Sequence, residues 1–227
     1  MKQGTLYAGR VRRAFSKLRG TATLPPIPDP DDPLRQLAIG VLGVSCGTAT
    51  GAKAVEQLLR VMVDWNEVRV STAGEIARVI GKFIPDSRLH AQRLIRSLGA
   101  LYQRENWLTL AKLKNMGRRE ARQYLERLDG ADDFAVACVL LWSLGGHAIP
   151  VDDRLLGAMR EARLVHPEAT RAEVQAFLER NISANDAREF CLLMQSFTPR
   201  DASAKGKKAA GRGTRKKSRS TKEKSRS

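Results

Sequence analysis

The stretch LDGADDFAVACVLLWSLGGHAIPVDDRL, residues 128 to 155, orders the reading of the whole chain. It opens on a Gly-centred turn, Leu128-Asp129-Gly130-Ala131-Asp132, and enters an apolar run from Phe134 to Leu144 that suits a buried helix. Gly145-Gly146 break the run. Ile149-Pro150-Val151-Asp152 then lead into a second helical pattern from Arg154 to Ala162, with Asp152 where a helix cap belongs.

Working outward, Asp86 to Tyr102 and Arg118 to Leu128 place apolar residues at three-and-four spacing with arginines on the opposite faces. Leu34 to Ser45 is apolar enough for a buried helix. The small-residue segment Cys46 to Ala52 (CGTATGA) reads as the link to a second helix, Lys53 to about Trp65. Thr72 with Glu75, Thr170 with Glu173 and Ser183 with Asp186 have capping-box spacing, which marks three further helix starts. Strand signals are nearly absent and no internal repeat is present, so the predicted fold class is all-α.

The 227 residues carry a formal charge of +16, placed at the ends. Residues 1 to 20 hold six Lys/Arg and no acid, residues 205 to 227 hold eleven against one Glu, and residues 21 to 204 hold 23 of each sign. The expected organisation is a basic, Pro-rich arm over 1–32, a helical domain over 33–198 and a disordered basic tail over 199–227. Basic ends point to a polyanion, most simply nucleic acid, because neutralised phosphates release counterions whether or not the chain is folded. The alternative is a solubilising tail.

Cys46, Cys138 and Cys191 are far apart, each in an apolar helical context where Cys behaves as a small hydrophobe, which argues against a disulfide scaffold. No apolar run reaches the length of a membrane span, and no apolar block follows the basic N-terminus. A cytoplasmic, nucleoid-associated protein is the expectation. His90, His147 and His166 are isolated, so no metal is assigned.

The order of turn, apolar helix, Gly-Gly break and Pro-Val-Asp resembles the core of the helix-hairpin-helix DNA glycosylases, the superfamily of endonuclease III. There an L-P-G-V-G-x-K-T-A hairpin precedes a V-D-x-H helix start. The resemblance covers about residues 30 to 198 and implies an all-α fold of two helical lobes with a cleft for a flipped-out base. It also implies double-stranded DNA as partner and base-excision repair as the setting. Aligned on Leu128 and Gly130, Asp129 and Asp132 replace hairpin residues, Phe134 stands at the lysine and Asp152 keeps the helix-start aspartate.

In the family, hairpin N–H groups bind a DNA phosphate, so Gly130, Ala131 and Asp132 become the expected phosphate contacts. Asp tolerates positive φ, so Asp132 is compatible with the family's turn. Asp129, Asp132 and Asp133 nevertheless surround a site meant for an anion and weaken it unless a cation bridges them. The other reading is a tight inter-helix turn with Asp133 as the next cap. Ser45 aligns near the family's base-displacing Gln and is too short to fill the hole left by a flipped nucleotide. Lys205, Lys207, Lys208, Arg215, Lys216 and Lys217 are the expected tail contacts. Trp65, Trp107 and Trp142 are candidates for stacking on bases, with Trp142 better suited to the core.

Phe134 has no nucleophile and no Lys lies between Lys114 and Lys205, so Schiff-base lyase chemistry is not expected. The four thiolates of the family's iron-sulfur loop are missing, so no cluster and no other cofactor is expected. Three readings remain, of which the monofunctional glycosylase is the expected one, and a helical protein-interaction module whose basic tail serves RNA or acidic proteins is the third. A monofunctional glycosylase would use Asp152, kept ionised by its helix start, to stabilise the sugar cation or orient water. A catalytically silent DNA-binding paralogue would keep the fold as a scaffold, with Asp152 as a helix cap; either is expected to be a monomer. An open cleft with Asp152 at its floor argues for the first, and a filled one for the second.

Overall fold

The helix that the rest of the molecule surrounds is α2, Pro33–Gly43, in which every residue except Arg35 is buried. Asp32 starts it: its side chain accepts from the N–H groups of Leu34 and Arg35, and Pro33 takes the first helical position, where no N–H is needed. In this computed structural model, which describes residues 4–20, 24 and 30–200, every regular element is helical.

After α2 the chain turns through 114° into α3, Thr48–Val61. This helix starts five residues before the sequence suggested. The small residues of CGTATGA are mostly part of α3, and they are small because α2 and α3 touch there: a Cβ on Gly51 would lie 2.4 Å from the Ile39 carbonyl oxygen. Short helices α4 (Trp65–Val70) and α5 (Ala73–Ile80) precede the long α6 (Ser87–Glu105). The Thr72–Glu75 capping box is present at the start of α5. A 3₁₀ turn at Ala111–Asn115 leads to α7 (Arg118–Glu126), and α8 (Asp133–Cys138) continues as a π-helical turn over Val139–Ser143. The last helices are α9 (Asp153–Glu161), α10 (Arg171–Asn181) and α11 (Ala184–Gln195).

Helices α2 to α8 pack as one lobe, with α2 against α3, α6 and α8. The second lobe joins the two ends of the chain, because α1 (Gly4–Arg19) lies on α11 and α9 packs on α10. The basic arm expected over 1–32 is therefore largely this helix. Tyr7, Ala8, Val11, Ala14, Phe15 and Leu18 form its buried stripe, Phe15 meets Phe190 edge to face at 5.2 Å, and Arg19 bridges Asp186 and Glu189. The interleaved cations hide a helical apolar period that needed a second surface to become visible. Among the described residues no single helix is long and apolar enough to cross a membrane.

Candidate active site and nucleic-acid interface

The Leu128–Asp133 turn joins α7 to α8 as a hairpin, and its geometry follows from two residues. Gly130 sits at φ +87, where a Cβ would lie 2.3 Å from the Arg93 carbonyl oxygen, so only glycine lets the turn press against α6. Asp132 has φ −109 and is extended, not left-handed. It, rather than Asp133, caps α8, its Oδ1 accepting from the Ala135 N–H at 3.0 Å.

Arginines bridge the carboxylates of this turn. Arg171 spans Asp132 at 3.1 Å and Asp153 at 3.0 Å, Arg93 lies 3.7 Å from Asp132, and Arg96 lies 3.8 Å from Asp129. The bridging cation that the acidic hairpin required is supplied from within the chain, by α6 and the start of α10. The Ala131 N–H donates to the Leu128 carbonyl at 3.2 Å, so it is engaged inside the turn.

Asp152 stands at the start of α9 with only 5% of its surface exposed. Its Oδ1 accepts from the Leu155 N–H at 2.6 Å, and Arg154 lies 3.8 Å from Oδ2. Arg154 also donates to the carbonyls of Met194 and Phe197, both at 3.4 Å, tying α9 to the end of α11. The turn between α2 and α3 closes the other side: the Asp153 N–H donates to the Val44 carbonyl at 2.9 Å, and a Cβ on Gly47 would lie 3.3 Å from Asp152 Oδ2. The helix start was expected to lower the Asp152 pKa. Burial instead pushes this carboxyl above the ordinary carboxylate range, against the opposing Leu155 N–H and Arg154.

Beside Asp152 is a cavity of about 10 Å³, walled by Thr48, Phe134, Trp142, Pro150, Cys191 and Met194 among others. That volume suits about one water molecule. Phe134, expected from the sequence at the family's lysine, is 1% exposed, and Trp142 is core as expected.

Ser45 is half-buried and faces inward. Burial lowers the His90 pKa, so the neutral ring donates from Nδ1 to the Val41 carbonyl at 3.2 Å and its Nε2 accepts the Ser45 hydroxyl at 3.2 Å. Cys46 lies in the turn after α2, not in a helix, and burial with the nearby Asp152 pushes its thiol up. Burial does the same to Cys138 and Cys191, so none of the three is poised as a thiolate.

Comparison with solved structures identifies the architecture. A trapped endonuclease III–DNA covalent intermediate superposes with a TM-score of 0.60 and 17% identity, covering 86% of this chain and 85% of that one. A thermostable thymine-DNA glycosylase gives 0.57 at 16% identity and 86% of both chains. The chain has the helix-hairpin-helix glycosylase fold. The 8-oxoguanine glycosylase/lyase of Clostridium acetobutylicum, bound to double-stranded DNA, matches at 0.56 and 16% identity over 72% of this chain and 59% of its own. No family model and no curated protein sequence matches.

Within the glycosylase fold, Gly130, Ala131, Asp132, Ser45 and Asp152 gather around the α8 and α9 starts and the α2–α3 turn that meets them. Lys205, Lys207, Lys208, Arg215, Lys216 and Lys217 lie outside the described residues. Trp65 and Trp107 line an open depression of about 500 Å³ with Tyr102, apart from the Asp152 cavity, and Trp107 is 74% exposed. The sequence reading missed Arg93, Arg96, Arg154 and Arg171. The signal available was the arginine face of α6; no local pattern pairs it with a turn more than thirty residues away.

Proposed function

We propose that this chain is a duplex-DNA-binding protein that keeps the glycosylase fold as a catalytically silent scaffold. The observation that carries the reading is the filled site. A nucleobase pocket needs hundreds of cubic ångströms, whereas the space beside Asp152 is about 10 Å³. Two further features agree with it. The elevated Asp152 pKa works against the ionised state that stabilising a sugar cation requires, and Phe134 offers no amine. DNA as partner is supported by the basic ends and by the DNA-bound structures that share the fold. Under this reading the protein acts as a monomer, needs no cofactor and draws much of its non-specific affinity from residues 205–227.

A second reading, a monofunctional glycosylase, is favoured by one observation: Asp152 caps α9, the helix start at which the sequence resemblance expects the family's aspartate. The deciding experiment incubates the protein with a panel of damaged and mismatched duplexes and scores abasic sites and borohydride-trapped adducts. Duplex binding without base release supports the scaffold. Base release that is lost in Asp152→Asn overturns it in favour of the glycosylase, and a trapped adduct contradicts both. Deleting residues 205–227 is expected to flatten the salt dependence of binding, and an unchanged slope removes the tail from the account.

A further inference from the structure

At the far end of α9 the chain builds a different surface. Arg10, Arg13 and Lys17 lie on one face of α1, and Arg163 follows the end of α9; together they line a groove of about 340 Å³. Among the described residues no carboxylate lines it, and its other walls are Ala14, Ala162 and Leu164.

Arg163 is placed there by an uncommon backbone. It has φ +54, and the Leu164 N–H reaches back to the Met159 carbonyl at 2.8 Å, the helix-ending arrangement in which glycine ordinarily takes the left-handed position. An arginine held in that conformation costs local strain, and strain retained at a surface position directs attention to what the side chain does. Arg10 answers the end of the helix, donating to the Arg163 carbonyl at 2.9 Å. This locks α1 to the turn and leaves the Arg13 and Arg163 side chains exposed at the groove.

We infer that this groove is a second phosphate-binding site, which takes the sugar-phosphate backbone of a DNA strand. The inference rests on the DNA-binding reading above. Arg10, Arg13 and Lys17 span about 10 Å along α1, and one strand of B-DNA presents about three phosphates over that length. Guanidinium groups suit phosphate oxygens because their forked donors match them two at a time. The groove contacts backbone only, so it adds affinity without base preference.

The test measures the salt dependence of binding to an undamaged duplex with the full chain. Arg13→Gln and Arg163→Gly are compared with Arg78→Gln on α5, an equal loss of charge outside the groove. Each groove substitution is expected to lower the slope of log K against log salt by about 0.9, and the pair by about twice that, with Arg78→Gln leaving it unchanged. Arg163→Gly also relieves the left-handed strain, so its melting temperature should stay level or rise while binding weakens, which separates contact from folding. Equal slopes for wild type and both groove variants, with wild type binding duplex, overturn the groove and leave the functional reading standing. Failure of wild type to bind duplex at all overturns both. A groove that binds inorganic phosphate but leaves the duplex slope untouched is an anion site unrelated to DNA, and this too overturns the inference.

Discussion

At the start of α9, Asp152 and Asp153 stand near Asp129 and Asp132, and Arg154, Arg171, Arg93 and Arg96 lie against these carboxylates. At its end, Arg163 shares a groove with Arg10, Arg13 and Lys17, and among the described residues no carboxylate lines the wall. Both ends obey the helix dipole, which favours acids at the N-terminus and cations at the C-terminus. They differ in what they offer a partner. Charges compensated within a protein exert little pull on an external anion, whereas a cationic groove without acids retains it. The Leu128–Asp133 hairpin is an internal arginine-carboxylate clamp, and the positive surface lies one helix length away.

The largest expected effect sharpens the account of the filled end. Phe134→Ala removes a fully buried ring and should cost about 3–5 kcal/mol in urea unfolding. It also opens space beside Asp152, so base release gained by this variant, against a silent wild type, would identify the ring as the plug. Next, Gly130→Ala adds a Cβ at φ +87 against the Arg93 carbonyl and should cost about 2–4 kcal/mol. A loss under about 1 kcal/mol would mean that the turn moves freely off α6.

Asp132→Ala tests the comparison directly. Loss of the α8 cap and of the partner shared by Arg93 and Arg171 should cost about 1–2 kcal/mol. Released from that carboxylate, the two arginines should raise duplex affinity and steepen its salt slope, making the hairpin end behave more like the groove. Unchanged affinity would show that the clamp faces away from DNA. The smallest effect is a pH dependence. The folded-state pKa of Asp152 is raised by burial, so its contribution to stability is full below the ordinary carboxylate pKa and is lost as pH rises through the folded value. Asp152→Asn, which keeps the Leu155 hydrogen bond, should therefore gain stability relative to wild type with increasing pH, as read from melting temperatures across a pH series. A gain that stays flat across the series would place Asp152 in a solvated site, and one that shrinks as pH rises would mean that the fold stabilises the ionised carboxylate.

The helices were legible where their determinants are local. Thr72 and Thr170 sit three residues from the glutamates that complete their caps, and both boxes are present. Gly130 was legible as a turn residue, and Phe134 as a residue without a nucleophile. The start of α3 was misplaced because small residues in CGTATGA serve a helix crossing as well as they serve a loop. For α1, charge outweighed the apolar stripe that packs on α11.

By itself, then, the sequence determined the helical class, the hairpin frame and the absence of an amine at the lysine position, because each depends on residue type and on neighbours within a turn or two. Tertiary structure alone decided that Asp152 is buried, that the acidic hairpin is neutralised and that α1 and the end of α9 form a cationic groove. Burial and charge pairing are properties of space. Arg171 meets Asp132 across 39 residues and Arg10 meets Arg163 across 153, separations at which no local preference acts and only packing sets which groups become neighbours.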